Sequence, residues 1–174
     1  MASIGPTGQI LENEGGDITE SELYDVFFES GKGLIKADIV LLETFSSVME
    51  AEIAVKALKD ATGLPVIATF SFTKGINGYK TMMGVTPKRA AEMAMENGLA
   101  TIGANCGNGI NEMIEIAAEF NKIVPPTLPV MIQANAGMPE LIENGARIIG
   151  GCCGTTPEHI AAFFNFSKLL GKRY

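Results

Sequence analysis

Short, nearly continuous apolar runs alternate along this chain with longer stretches in which apolar residues recur every three to four positions. That pattern predicts strands buried on both faces, separated by amphipathic helices. The strand-like runs cover residues 2–4, 38–42, 65–70, 100–103, 130–133 and 147–150. The helices have readable ends. Thr19 and Glu22 have the spacing of a capping box, and Ser47 opens a run that stops at Gly63. Thr86-Pro87 and Thr156-Pro157 each set a capping hydroxyl before a proline at the first helical position. Another helix follows Asn108-Gly109 and carries Met113, Ile116, Ala117 and Phe120 on one stripe until Pro125-Pro126 ends it. Regular alternation of strand and helix predicts the α/β class with a parallel sheet.

Two segments break the rhythm. Between the fifth strand and the sixth only residues 138–144 read as helix, about two turns, which is short for a crossover helix. Residues 74–80 are polar and glycine-containing and predict a mobile loop, without the spacing or context of a phosphate loop. There is also an internal echo. Glu96-Asn97-Gly98, Ile102-Gly103 and Cys106-Gly107 recur 47 residues later as Glu143-Asn144-Gly145, Ile149-Gly150 and Cys153-Gly154.

With 174 residues and 47% hydrophobic content, the chain can bury one sizeable core, so residues 1–174 predict a single domain. A net charge of −7 and no basic stretch exclude the electrostatic footprint of a nucleic-acid binder. No apolar run approaches the roughly 20 residues of a membrane span, and the first residues lack a signal-peptide pattern. A soluble, cytoplasmic protein with no membrane partner is expected. The three cysteines cannot all pair within one chain, and two are adjacent, which turns attention to metal binding or thiol chemistry.

In parallel α/β folds, residues just past the carboxyl ends of strands gather on one face, so Cys106, Cys152 and Cys153 are expected to converge. Zinc binds thiolates tetrahedrally, and three protein ligands leave the fourth position to a substrate. A thiol entering there loses its proton and becomes a nucleophile suited to attack on a methyl group. Zinc with three thiolates already carries a net negative charge, which favours a reactive entering sulfur. Cys106 alone reads better as a small buried hydrophobe; three cysteines at glycine-flanked strand ends point to a metal.

Ser3-Ile4-Gly5-Pro6-Thr7-Gly8, Glu43-Thr44-Phe45, Gly103-Ala104-Asn105-Cys106, Asn135-Ala136-Gly137 and Gly150-Gly151-Cys152-Cys153-Gly154-Thr155-Thr156-Pro157-Glu158-His159 resemble, in order, the strand-end motifs of the homocysteine S-methyltransferase family. The resemblance implies a (β/α)8 barrel of the TIM type, with zinc on the residues matching Cys106, Cys152 and Cys153. It implies methyl transfer to homocysteine or another small thiol, giving methionine, from a corrinoid or a small-molecule donor. Glu43 and Asn135 match positions that hold homocysteine, and Gly5 and Thr7 are expected to line the same mouth. Glu43 also reads as a strand-end cap and Asn135 as a turn residue. His159 reads as a surface or packing residue.

The resemblance is partial. Nothing matches the family's first two βα units, including a glycine-rich strand end similar to Asp-Gly-Ala-Met-Gly-Thr. A full barrel takes about 250 residues and eight strands; about six strands are predicted here. A homo-oligomer or a complementing chain is expected to cover the open edges. A non-catalytic zinc-binding or assembly subunit and an inactive fragment are the alternatives. No Asp-x-His-x-x-Gly motif occurs, so a corrinoid would come on another protein or domain.

Overall fold

The computed structural model describes residues 1–135, 141 and 144–169. Six strands form one sheet in chain order: β1 (Ala2–Ile4), β2 (Val40–Phe45), β3 (Val66–Phe70), β6 (Thr101–Asn105), β7 (Val130–Ala134) and β8 (Ile148–Gly151). Every neighbouring pair is parallel. The remaining strands, β4 (Thr73–Gly75) and β5 (Gly78–Lys80), make a separate antiparallel pair. The helices are α1 (Glu20–Lys32), α2 (Val48–Thr62), α3 (Pro87–Glu96), α4 (Ile110–Ile123) and α5 (Pro157–Leu169). Sequential parallel strands with helical crossovers are the winding of a TIM-type barrel, here a six-stranded part of one.

The apolar runs become strands because both faces are covered. All five residues of β3, β6 and β7 are buried. Val66, Ala68, Phe70, Ile102, Ala104, Val130 and Ile132 join the main core beneath the helices. Leu41, Ile67 and Met131 form a second cluster on the opposite, inner face. The helix starts match the predicted caps. Thr19 and Glu22 exchange both bonds of the capping box, and Ser47 and Thr86 accept from Glu50 N and Arg89 N. His159 occupies the third turn position of α5 and supplies a capping contact of its own. Its Nδ1 lies 3.0 Å from Thr156 N, accepting that donor as a glutamate would in a capping box.

The segment 74–80 is not a mobile loop. It contributes the paired strands β4 and β5, with Ile76 and Asn77 at the tip. Tyr79 is buried and donates to Glu115 Oε2 at 2.7 Å, while Lys74 pairs with the same oxygen at 2.6 Å. The sequence hid this hairpin because Tyr79 is the one buried side chain in its two strands, too few for a period to show. Of the short crossover at 138–144, only Leu141 and Asn144 lie among the described residues; Leu141 is buried. Among the described residues, no helix is long and apolar enough to cross a membrane.

Candidate metal centre

Cys106 follows β6, and Cys152 and Cys153 follow β8, so β7 lies between the two strand ends. Its carbonyls set both in place. Cys106 N donates to Gln133 O at 3.3 Å, and Cys152 N donates to Ala134 O at 3.0 Å. Beyond β6 the chain turns sharply, with Cys106 at φ 59° and Gly107 at φ 76°. A side chain at Gly107 would be strained by that left-handed φ and would also press on Ser71 Oγ and Phe72 O, 3.0 and 3.2 Å from its Cβ.

This geometry brings the three predicted ligands together. Cys106 Sγ and Cys153 Sγ lie 3.7 Å apart, and all three sulfurs lie within 4.8 Å of one another. All three thiols are free; Cys153 is exposed, and Cys106 and Cys152 are half-buried. Three converging sulfurs at an accessible mouth form a donor set that could bind a metal ion.

Beneath the sulfurs sits Asn105, fully buried. Its Oδ1 accepts from Thr44 N and from Thr69 Oγ1, both at 2.8 Å, and its Nδ2 donates to Thr44 Oγ1 at 2.7 Å. Nδ2 also lies 3.9 Å from Cys152 Sγ. Thr44 and Cys106 are the two non-glycine residues with positive φ among the described residues, and both adjoin this amide. Left-handed backbone at non-glycine residues costs on the order of 1–3 kcal/mol each and persists where surrounding bonds enforce it.

β2 runs on past its predicted end because a bulge intervenes. Leu42 pairs with Ala68 but Phe45 with Phe70, so three steps on β2 face two on β3. The extra residue re-aims Glu43 and Thr44 at the strand end. Glu43 is half-buried, and its Oε2 accepts from Ser3 Oγ at 2.7 Å. Thr7 gives both its N–H and its hydroxyl to Glu50 Oε1, each at 2.8 Å, and Gly5 is exposed in the same loop. Glu158, in the first turn of α5, is held below the usual carboxylate range by a hydrogen bond from Thr156.

The sequence model for Homocysteine S-methyltransferase matches residues 1–166. The chain belongs to that family. It is 31% identical over 164 residues to a methionine synthase of Mycobacterium leprae (strain TN), covering 78% of this chain and 13% of that enzyme. The fold is shared with the homocysteine methyltransferase MmuM of Escherichia coli. Its apo form matches at TM-score 0.77 and 22% identity, over 94% of this chain and 61% of that one. The metallated form matches at TM-score 0.69 and 24% identity, over 83% and 52%. The chain thus spans about an eighth of the M. leprae enzyme and under two thirds of the E. coli one.

In this member of the family, Asn135 is half-buried at the end of β7, donating its N–H to Asn108 O at 3.4 Å. Among the described residues, its Oδ1 is buried without a hydrogen-bond partner, as are Gln133 Oε1 and Thr155 Oγ1. All three lie at the ends of β7 and β8, where the cysteines gather. Buried acceptors without donors are rare in folded proteins and suit a site that takes up a donor from outside. Asn105 and Thr44 stand within the quoted motifs and Thr69 within a predicted strand, but sequence reasoning assigned none of them a role in the site. The echo held a signal for Asn105, since it stands 47 residues before Cys152 just as Cys106 stands 47 before Cys153.

Proposed function

We propose that this S-methyltransferase domain holds zinc through Cys106, Cys152 and Cys153 and presents homocysteine for methylation, giving methionine. The sulfur geometry carries the reading. Zinc–thiolate bonds of about 2.3 Å place tetrahedral sulfurs about 3.8 Å apart, and Cys106 and Cys153 stand at 3.7 Å. A bound zinc ion supplies Lewis acidity that keeps an entering thiol deprotonated at neutral pH.

The chain's own groups bind and orient. Three cysteine ligands leave one coordination position to the substrate. Glu43, at the bulge beside Thr44, offers a carboxylate for the ammonium of homocysteine, and Asn135 offers its unpartnered Oδ1. Gly5 and Thr7 border the same mouth, with Thr7 braced by Glu50. In the transfer, a sulfur lone pair forms the new S–CH3 bond. The bond from that carbon to the donor breaks in line, its electron pair leaving with a corrinoid or small-molecule donor. A corrinoid would be supplied by another protein or domain. Three free thiols fit a reducing compartment such as the cytoplasm.

The open sheet favours a second element in this reading. Among the described residues, β1 pairs only with β2, and β8 only with β7. A second copy or a complementing chain closing these edges would complete the mouth. If that chain brings the reacting groups, this domain is a zinc-binding assembly subunit.

A native mass spectrum of protein purified without added metal tests the proposal. One zinc per chain in a defined oligomer, homocysteine adding to that species, and loss of both in Cys153→Ser are expected. A metal-free chain that takes up no homocysteine would point instead to an inactive fragment.

A further inference from the structure

We propose that Asn105 is a positioning residue for the metal centre, its side-chain N–H aimed at the Cys152 sulfur to orient that ligand and temper its charge. The inference rests on the three cysteines holding a metal. Its ground is the fixed orientation of the amide. The backbone N–H of Thr44 can only donate, so the Asn105 atom 2.8 Å away is the amide oxygen. The Thr69 hydroxyl adds a second bond to that oxygen at 2.8 Å. The amide nitrogen therefore faces the other way, and its two hydrogens meet two acceptors: Thr44 Oγ1 at 2.7 Å and Cys152 Sγ at 3.9 Å.

The internal echo gives the arrangement a second support. The units containing Cys106 and Cys153 meet at equivalent positions, Cys106 against Cys153 and Asn105 against Cys152, each pair 47 residues apart. Where the second unit carries a sulfur ligand, the first carries a neutral donor pointed at that sulfur. Donors to metal-bound ligands hold their orientation and reduce the electron density they pass to the metal. Asn105 is also fully buried and tied to β2 and β3, so its N–H is fixed rather than searching.

The test uses the whole chain with zinc or cobalt(II) and two variants. Asn105→Ala removes the donor, whereas Thr69→Val removes one bond to the amide oxygen and leaves the amide nitrogen in place. Asn105→Ala is expected to weaken zinc binding by about 10- to 100-fold in chelator competition and to move the thiolate-to-cobalt charge-transfer band. Thr69→Val is expected to lower the melting temperature while keeping wild-type affinity and band. Wild-type affinity and band in Asn105→Ala, or their equal loss in Thr69→Val, overturns the inference and leaves the proposed function standing. A wild-type chain that binds neither metal brings down both. If Asn105→Ala does not fold, cadmium-113 in the wild-type protein decides: a scalar coupling between cadmium and the Asn105 amide hydrogens supports the N–H···S bond, and its absence refutes it.

Discussion

The two cysteine-bearing units share a motif but not a setting. β6 lies inside the sheet between β3 and β7, each of its five residues is buried, and α4 packs Met113, Ile116, Ala117 and Phe120 beneath it. β8 is an edge strand with no residue fully buried, Ile148 is 38% exposed, and α5 leaves Ile160 and Phe164 largely in solvent. Their flanking glycines correspond all the same. Gly98 and Gly145 both have positive φ, and so do Gly107 and Gly154. The glycines flanking each strand are therefore alike, but Cys106 has positive φ and Cys153 does not, and burial decides how firmly each unit is held. One half of the sulfur cluster is built into the core, and the other is hung on the sheet's edge.

The sharpest way to break that contrast is an alanine at the matched glycines. A Cβ at Gly103 collides with the backbone of Met131 on β7, which cannot move without parting the ladder. Gly103→Ala is expected to cost about 3 kcal/mol or more in denaturant unfolding. At Gly150 the Cβ meets Gln133 Cγ at 3.2 Å, the flexible part of a side chain. There, relief of glycine's backbone entropy, about 0.5–1 kcal/mol, offsets the crowding, and near-neutral stability is expected. Equal losses at both positions would refute the contrast.

Metal removal is the next test. With zinc at 100 times its dissociation constant, binding at the proposed site would stabilise the fold by about 2.7 kcal/mol. Chelation is expected to speed hydrogen exchange mainly in β8 and the start of α5, with β6 keeping its protection. Uniform loss would mean that the edge unit is as firmly anchored as the central one.

A smaller effect is expected at His159. Removing its capping contact with Thr156 N in His159→Ala should cost about 1 kcal/mol, and His159→Gln, which keeps an acceptor, should recover most of it. Thermal melts of the two variants compare them directly.

The smallest effect concerns the β4–β5 hairpin, tied to α4 through Glu115. Hydrogen bonds from Lys74 first and Tyr79 second hold the Glu115 carboxyl below its ordinary range. A group depressed in the folded state stabilises above its unfolded value, and that contribution fades as pH falls through the lower folded value. Acidification across the carboxylate range should therefore quicken exchange in β4 and β5 before it affects β6. Glu115→Gln should abolish that pH dependence.

Much of this was legible in the sequence because it is local. Apolar runs found all six strands of the sheet, and Thr19, Ser47 and Thr86 marked helix starts, since a cap depends on residues three apart. The cysteines could be grouped because parallel strands send their carboxyl ends to one face. The β4–β5 hairpin was not legible, because Tyr79 is anchored by Glu115, 36 residues away. Nor was the β2 bulge, which appears only against the register of β3.

By itself, then, the sequence determined the α/β alternation, the helix ends and the identity of three metal-competent side chains. The tertiary structure decided which of them meet, at what separation, and what stands behind them. Asn105 shows the reason. An asparagine before a cysteine has many local uses, and only the packing of β2, β3 and β8 around it brings Thr44, Thr69 and Cys152 to its two ends. Hydrogen-bond partners that far apart in the chain are chosen by strand order and register, which belong to the folded sheet rather than to any short stretch of sequence.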